Sequence, residues 1–319
     1  MRLLPAAYEP YGWAISTAEA ARIAGVEPAE VLRFDGNVPP GPPRSARPEV
    51  VAAALAEVNT YPHGGYPLIH EALTEYAGVE PGQVVLGAGA DDLILLCARA
   101  FAGPGDRIAI ADEPTYPLFR LAAWLAGADV GGDDPVLTFC CRPHNPTGAL
   151  GELPAARPLV VDEAYFEYAG ETAAGLLDDG VIVIRTFSKA FGLAGARIGY
   201  LLAARETAAA LAERQSPAPV STLSVALALA GLADPPDVSP VLAERERLAG
   251  GLRGLGLEPL PSWANFLYVP LADATGVADA LLRRGLLVRP FEGALRITVR
   301  DAADDDRLLT ALREIFSGA

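Results

Sequence analysis

The hydrophobic pattern of the chain alternates between two periods from residue 84 onward. Short β-branched runs alternate with Ala- and Leu-rich stretches of helical length. The run Val-Ile-Val-Ile at 181–184 is continuously apolar, as is typical of a strand buried on both faces. The pattern predicts helices that include 91–101 and 117–126, and strands at 84–86, 107–111, 136–141, 159–162, 181–187 and 198–203.

This alternation predicts an α/β fold, with a mainly parallel sheet inside a large three-layer domain. After Arg205 the pattern changes to helices at 206–215 and 241–255, followed by strand-like segments at 266–269, 286–288 and 295–299. The change predicts a smaller α+β domain. Since 319 residues exceed what one core usually holds, we expect an N-terminal arm and stiff proline-rich linker (1–48), a large domain (49–205) and a small C-terminal domain (206–319).

Composition narrows the class of function. The net charge of −15 and the pI of about 4.6 repel polyanions, so nucleic acid and anionic membranes are not expected as partners. Three cysteines without a CxxC spacing and three scattered histidines predict neither a metal site nor a disulfide framework. No apolar run has the form of a signal peptide or the roughly 18 residues of a membrane span, so we expect a cytoplasmic protein.

The ends of the predicted strands are where a site is expected. In an open α/β sheet, ligands bind beyond the carboxyl ends of the strands. The segments that follow the apolar runs carry hydroxyl, carboxylate, amide and amine groups, and they lie at 87–91, 112–116, 142–148, 162–165 and 186–189.

Lys189 directly follows a buried strand. Burial disfavours the charged ammonium, and a lysine that forms a Schiff base needs the neutral amine. A solvated lysine at a strand end is the ordinary alternative. The neighbouring hydroxyls of Thr186 and Ser188 and the guanidinium of Arg197 favour the first interpretation, because together they suit a phosphate dianion.

Three other segments allow two interpretations each. Gly87-Ala-Gly-Ala-Asp91 joins a strand to a helix and suits phosphate, but it lacks the third glycine of a dinucleotide fingerprint and fits a tight turn equally well. Asp162 suits a protonated pyridine nitrogen, or else it caps a helix next to a core tyrosine, Tyr165. Asn145-Pro-Thr-Gly148 is a turn signal in any protein.

Taken in order, these segments resemble one family. They are Gly89-Ala-Asp91, Pro114-Thr-Tyr116, Asn145-Pro-Thr-Gly148, Val161-Asp-Glu-Ala-Tyr165, Thr186-Phe-Ser-Lys189 and Arg197. They are similar to the landmarks of fold-type I aminotransferases of class I/II, which depend on pyridoxal 5'-phosphate (PLP), and most of all to the histidinol-phosphate aminotransferase branch. The resemblance extends from about residue 34 to residue 299.

The resemblance implies a role for each residue near the cofactor. Lys189 would hold PLP covalently and move the substrate proton, Asp162 would pair with the pyridine nitrogen, and Tyr116 would stack on the ring. Asn145 and Tyr165 would hold the ring hydroxyl. The phosphate would be bound by Ala90, Asp91, Thr186, Ser188 and Arg197, and by Tyr61 of the other subunit of a homodimer.

The resemblance also implies substrate-binding residues. Arg296, in Leu295-Arg-Ile-Thr-Val299, would bind the substrate α-carboxylate, since a guanidinium grips a carboxylate through two hydrogen bonds. The alternative is a surface arginine on an edge strand. Arg289 would face a substrate phosphate, and Asn37 belongs to a motif at 34–40 that departs from the family at Pro39. Tyr8, Tyr11 and Trp13 would form an aromatic lid or anchor the N-terminus.

Other departures from the family concern connections. Only residues 149–158 separate the Asn-Pro-Thr-Gly turn from the next strand, and two prolines interrupt them, so the usual crossover helix should be short or lost. The segments at 128–136 and 289–296 are also short.

The leading hypothesis is a PLP-dependent aminotransferase acting between glutamate/2-oxoglutarate and a second substrate, such as L-histidinol phosphate/imidazole-acetol phosphate. One alternative is a threonine-phosphate decarboxylase, although that family is expected to carry Thr-Lys and Pro-Gly-Leu-Arg where Ser188-Lys189 and Ala194-Gly-Ala-Arg197 stand here. The others are an aromatic aminotransferase and, from another class, a non-catalytic PLP-fold scaffold.

Overall fold

The structure is a computed structural model that describes Tyr8, Gly12 and residues 14–62 and 64–317. Tyr11, Trp13 and His63 lie outside the described residues. The chain forms two compact units. The first unit contains Gly41–His144 and Gly151–Pro236, and the second contains residues 14–40, Asn145–Leu150 and residues 237–317.

The elements are numbered along the chain. The helices are α1 (Thr17–Ala24), α2 (Pro48–Ala56), α3 (Pro67–Ala77), α4 (Ala90–Phe101), α5 (Leu118–Ala126), α6 (Phe166–Ala169), α7 (Arg205–Ala212), α8 (Thr222–Ala233), α9 (Ser239–Arg253), α10 (Ala274–Leu282) and α11 (Ala302–Ser317). The strands are β1 (Leu32–Arg33), β2 (Val84–Gly87), β3 (Arg107–Ile110), β4 (Asp129–Val130), β5 (Leu137–Cys141), β6 (Leu159–Asp162), β7 (Val181–Thr186), β8 (Gly199–Leu202), β9 (Phe266–Pro270), β10 (Leu286–Leu287), β11 (Arg289–Phe291) and β12 (Ala294–Thr298).

The first unit is built on one large sheet. Among the described residues its strand order is β2-β8-β7-β6-β5-β3-β4, and β8 runs antiparallel to both of its neighbours while the remaining pairs are parallel. The predicted α/β class with a mainly parallel sheet is confirmed, and each predicted strand is present with ends that shift by a residue or two.

Both faces of this sheet are buried, which explains why its strands are continuously apolar. Successive residues of a strand point to opposite faces. Val160 and Ile184 therefore lie in the core packed by α4 and α5, here called the α4 face. Val161 and Val183 lie in the core packed by α3 and α8, here called the α3 face. The two faces together form the predicted three-layer arrangement.

The second unit has its own core. A three-stranded antiparallel sheet of order β11-β12-β9 and a parallel β1-β10 pair pack with α9, α10 and α11. The helices α7 and α8, which the sequence pattern placed with the small domain, belong to the first unit. Residues 39–48 are not extended throughout, because the Ala46 N–H donates to the Pro43 carbonyl at 3.0 Å and closes a turn.

The connections agree with the expected departures. No helix is present among residues 142–158, which confirms the loss of the crossover helix between β5 and β6. Within the first unit, Tyr8 contacts Trp124 edge-to-face at 6.0 Å between ring centroids, a contact that anchors this residue. None of the described helices combines the length and apolar character needed to cross a membrane.

Close backbone contact at Gly199 gives a prediction for stability. A Cβ at this position would lie 2.7 Å from the Arg185 carbonyl oxygen and 3.0 Å from the Gly89 carbonyl carbon, and backbone atoms cannot move aside. Gly199→Ala should therefore lower the free energy of unfolding by about 1–3 kcal/mol in urea titrations. The matched control is Gly250→Ala in α9, where no atom lies within 4 Å, and it should stabilise the protein by up to about 1 kcal/mol. Equal effects of the two substitutions would contradict this account.

Candidate active site

Asp162 ends β6 and lies on the α4 face, because it continues the alternation of Val160. Its side chain is 4% exposed and accepts a hydrogen bond from the Ala164 N–H at 3.0 Å. This bond closes a local turn, while α6 is capped by Tyr165, so the alternative that Asp162 caps a helix is wrong. Burial raises the pKa of Asp162 to about 7. Such a carboxyl is fully ionised at neutral pH only beside a cation.

Lys189 lies in the turn that follows β7 and belongs to the same unit as Asp162. The lysine is half-buried, and its Nζ lies 5.8 Å from the centre of the buried Tyr165 ring. Its charge acts on Asp162 and partly opposes the effect of burial on the aspartate pKa. The structure therefore brings the lysine, the tyrosine and the carboxylate of the prediction to one edge of the sheet.

The start of α4 and the end of β7 form the second part of this edge. Gly89 has φ +87° and Ala90 begins the helix, so the first backbone N–H groups of α4 have no partner within the helix, as at any helix start. The Thr186 hydroxyl donates to the Ser188 hydroxyl at 2.9 Å, and both side chains are buried. Arg197, with φ +51°, donates to the Asp91 carboxylate at 2.9 Å.

Tyr116 completes this cluster through Asp91. Its hydroxyl donates to Asp91 Oδ1 at 2.8 Å, while Arg197 is bound at Oδ2. The carboxylate of Asp91 therefore positions an aromatic ring and a guanidinium. An anion at this place would be repelled by that carboxylate and attracted by the guanidinium and the helix N–H groups. If Asp91 contacts a phosphate, the contact must come from its backbone.

In the second unit the centre is Arg296 on β12. This strand lies between β11 and β9, and the Arg296 residue is only 9% exposed, so the alternative of a surface arginine on an edge strand is wrong. Its Nη1 donates to Asn145 Oδ1 at 2.6 Å and its Nη2 donates to the Asp35 carbonyl at 2.9 Å. The guanidinium also lies 5.4 Å from the centre of the Phe266 ring.

Arg289 stands directly opposite Arg296 in the antiparallel β11-β12 pair. Residues that face each other in such a pair have their side chains on the same face of the sheet. Asn37 is also tied to β12, since its N–H donates to Thr298 Oγ1 at 2.9 Å and its Oδ1 accepts from the same hydroxyl at 3.1 Å. Two arginines therefore share one face of the second unit.

The Asn145-Pro-Thr-Gly148 segment is a turn that packs on the second unit. Gly148 has φ +78°, and a Cβ there would collide with Ser262. Its carbonyl accepts a hydrogen bond from the Trp263 N–H at 2.8 Å. These contacts place Asn145 beside Arg296, and its predicted contact with the ring hydroxyl stays a prediction.

Tyr61 belongs to the first unit, but it is not part of the clusters around Asp162 and Asp91. Its side chain lies in the connection between α2 and α3 and is 83% exposed. Beside it runs an apolar groove of about 640 Å³ formed by α2, α3 and α8. The groove is lined by residues that include Val50, Ala53, Leu68, Val225 and Leu229.

Sequence reasoning missed one charged pair at this end of the sheet. Glu163 and Arg185 form an ion pair on the α3 face, with side chains that are 1% and 2% exposed and an N–O distance of 3.0 Å. The signal was present in the sequence, because each charged residue is next to a predicted site residue at the end of an apolar strand.

The described groups of the first unit fit PLP. The cofactor offers a phosphate dianion, an aldehyde and a ring nitrogen that can carry a proton. The α4 start with Arg197 suits the phosphate, Lys189 suits the aldehyde, and the buried Asp162 needs a cation such as the protonated ring nitrogen.

Comparison with known proteins agrees with this fit. The family described as Aminotransferase class I and II matches residues 29–131 and 132–312. Histidinol-phosphate aminotransferase 2 of Pseudomonas aeruginosa is 33% identical over 94% of this chain and 93% of the relative. Histidinol-phosphate aminotransferase of Thermoanaerobacter pseudethanolicus is 36% identical over 82% and 86%. The crystal structure of histidinol-phosphate aminotransferase from Sinorhizobium meliloti in complex with PLP has a TM-score of 0.83 at 26% identity, covering 98% of both chains.

Gly89 gives a prediction for phosphate binding. A Cβ on Gly89 would lie 2.7 Å from Arg197 Nη2, so Gly89→Ala should push the guanidinium away from the α4 start. Losing one hydrogen bond to a charged group should weaken PLP binding by about tenfold or more, measured by absorbance titration of the cofactor-free protein.

Gly105→Ala is the matched control, because Gly105 has nearly the same φ, +92°, but no atom within 4 Å of a Cβ. It should also strain the backbone, because the alanine would adopt a positive φ, but it should keep the PLP affinity. A comparable loss of affinity in both variants would assign the effect to strain alone.

Proposed function

Because the chain belongs to the class I and II aminotransferases, which work with PLP, we propose that it transfers an amino group between glutamate/2-oxoglutarate and L-histidinol phosphate/imidazole-acetol phosphate. The observation that carries the choice of substrate is the pair of Arg289 and Arg296 on one face of the second unit. Two cations suit the two carboxylates of glutamate in one half-reaction and the phosphate dianion of L-histidinol phosphate in the other, and the names of the relatives point to the phosphate substrate.

Each residue of the first unit receives a proposed role. When bound, PLP supplies an electron sink for the charge that develops at the substrate α-carbon. Lys189 Nζ, as the neutral amine, would take the proton from that carbon and would later return a proton. Asp162 would pair with the positively charged ring nitrogen. Tyr116 would support the ring, and Tyr165 would donate a hydrogen bond to the ring hydroxyl.

The phosphate would be bound by the backbone of Ala90 and Asp91, the hydroxyls of Thr186 and Ser188, and the guanidinium of Arg197. In the second unit, Asn145 would contribute a second hydrogen bond to the ring hydroxyl. Arg296 would bind the α-carboxylate of glutamate and would help to bind the phosphate of L-histidinol phosphate, which carries no carboxylate. Arg289 would bind the second carboxylate of glutamate or the phosphate of L-histidinol phosphate. Asn37 is predicted to bind substrate, and its hydrogen bonds to Thr298 would keep it in place against β12.

A panel of amino donors tests the proposed reaction. Mixing the PLP form with excess L-histidinol phosphate or glutamate in a single turnover should abolish the absorbance band of lysine-bound PLP. Phosphothreonine should release no carbon dioxide, and phenylalanine should react more slowly by about tenfold or more, since it has neither the second carboxylate of glutamate nor the phosphate of L-histidinol phosphate. Lys189→Ala is the control and should lack the band before any donor is added.

Carbon dioxide release from phosphothreonine would favour the decarboxylase, and a preference for phenylalanine would favour an aromatic aminotransferase. A band that does not respond to any donor would favour a scaffold. An unchanged band in Lys189→Ala would overturn the role of the lysine.

We also propose that the enzyme is a homodimer that uses the groove beside Tyr61. Large exposed apolar surfaces mark sites of association, and this groove is bordered by Leu68, which is 67% exposed. In this arrangement Tyr61 would reach the phosphate bound by the partner. A cytoplasmic location and the absence of nucleic-acid partners stay predictions.

Leu68→Glu tests the dimer, because a charge in the groove must be desolvated on association. Sedimentation at micromolar concentration should show a dimer for the natural protein and a monomer for the variant. Leu125→Glu is the matched control: Leu125 is 51% exposed on α5, away from the groove, and its replacement should leave the dimer intact. A natural protein that sediments as a monomer would overturn the proposal.

A further inference from the structure

The missed ion pair lies across the sheet from the proposed cofactor site. Glu163 directly follows Asp162, and Arg185 directly precedes Thr186. Because neighbouring residues of a strand point to opposite faces, Asp162 and Thr186 lie on the α4 face while Glu163 and Arg185 lie on the α3 face. Parallel pairing of β6 with β7 joins the two positions, since the Glu163 N–H donates to the Ile184 carbonyl at 2.8 Å.

Three groups donate hydrogen bonds to the Glu163 side chain. Arg185 Nε donates to it at 3.0 Å, the Thr172 hydroxyl at 2.9 Å and the Ala173 N–H at 2.6 Å. Arg185 is equally constrained, because its Nη2 donates to Thr172 Oγ1 at 2.8 Å and its guanidinium lies 3.5 Å from the centre of the Phe166 ring. A pair with this geometry is costly to break, since either partner alone would be a buried charge.

The position of Glu163 makes the ionisation of Asp162 less favourable. Two consecutive carboxylates at a buried strand end repel each other, and each makes the other harder to ionise. Burial is the main cause that raises the pKa of Asp162, and the negative charges of Asp91 and Glu163 raise it further, while Lys189 lowers it. On the α4 face, Asp91 is already paired with Arg197. On the α3 face, the compensating cation is Arg185.

The other titratable groups described near the Glu163–Arg185 pair supply no positive charge in place of that of Arg185. Glu167 is an acid whose pKa is raised to about 7, chiefly by burial, and it accepts a hydrogen bond from the Tyr76 hydroxyl at 3.4 Å. Burial also raises the pKa of Tyr76 and of Tyr200, so both phenols are neutral. Among the described titratable groups around Glu163 on the α3 face, Arg185 is therefore the one that carries a positive charge.

We propose that Arg185 is a positioning residue for the cofactor: by neutralising Glu163 through the sheet, it keeps the Asp162 carboxylate ionised for the protonated ring nitrogen of PLP. The inference rests on the proposed role of Asp162. Arg185 itself touches neither cofactor nor substrate in this account, since it lies on the opposite face.

Pyridoxamine 5'-phosphate is a suitable probe, because it binds without a covalent bond to Lys189. Its affinity for the cofactor-free full chain is measured between pH 5 and pH 9 beside that of the analogue whose ring nitrogen is replaced by carbon. A protonated Asp162 must lose its proton to pair with the cationic ring, so the affinity for the nitrogen-containing probe falls as the pH drops below the pKa of Asp162. The affinity for the carbon analogue lacks this pH dependence. The difference between the two affinity profiles therefore gives the midpoint, which is the pH at which Asp162 is half ionised.

The substitutions should move this midpoint in opposite directions. Arg185→Met leaves Glu163 uncompensated and should raise it by on the order of one pH unit, or tenfold in proton affinity. Glu163→Gln leaves the arginine cation and should lower it by a similar amount. Arg185→Lys keeps the charge and should retain the natural midpoint. Glu167→Gln is the matched control, since it removes another acid of the α3 face, one that is half-buried, and should not move the midpoint.

Opposite shifts would support the inference, because general damage to the fold would not raise the midpoint in one variant and lower it in the other. Shifts in the same direction, no shift, or equal behaviour of Arg185→Lys and Arg185→Met would overturn it. Should Arg185→Met fail to fold, a lowered midpoint in Glu163→Gln together with the natural midpoint in Arg185→Lys would support the inference, and any other result would overturn it. If the two probes already behave alike with the natural protein, the proposed role of Asp162 is wrong, which is a different outcome from an unmoved midpoint.

Discussion

The parallel pairing of β6 with β7 determines which side chains meet at the edge of the large sheet. The register joins Asp162 to Ile184, so the end of β6 lies beside the last residues of β7 and the turn that carries Lys189. Because strand residues alternate, the same register places one set of charges on each face. Asp162 and Thr186 lie on the α4 face, and a change of one residue would reverse both.

Burying charged groups at this edge of the sheet costs free energy, so each of these groups needs a defined partner. Acids, an arginine and a lysine lie at the ends of strands that are otherwise apolar, and charged groups in such places need partners. Glu163 obtains its partners from Arg185 and from the 172–173 segment, and Asp91 obtains them from Arg197 and Tyr116. Asp162 is different, because within the described part of the chain its carboxylate accepts from the Ala164 backbone N–H, and burial raises its pKa in spite of the charge of Lys189. An acid that the fold leaves short of a cation is suited to a cationic ligand.

The second unit contains the two arginines that are proposed to bind the anionic groups of the substrate. The central position of β12 holds Arg296 among rings and carbonyls, and the antiparallel partner brings Arg289 to the same face. Asn145 belongs to this unit although the chain reaches it directly from β5 of the first.

The apolar runs by themselves determined the α/β class and the strands, because burial on both faces leaves a continuous signal along the chain. The order of residues along the chain also singled out Lys189, Asp162 and Arg197 as candidate site residues, since each lies at or next to an end of such a run. The sequence could not show that Arg296 lies in a central strand, that Asp162 closes a turn, or that α7 and α8 join the first unit. Nor could it pair Glu163 with Arg185. Those facts depend on which distant segments pack together, and only the tertiary structure decides that, because the burial of a charge and its partner is set by neighbours remote in sequence.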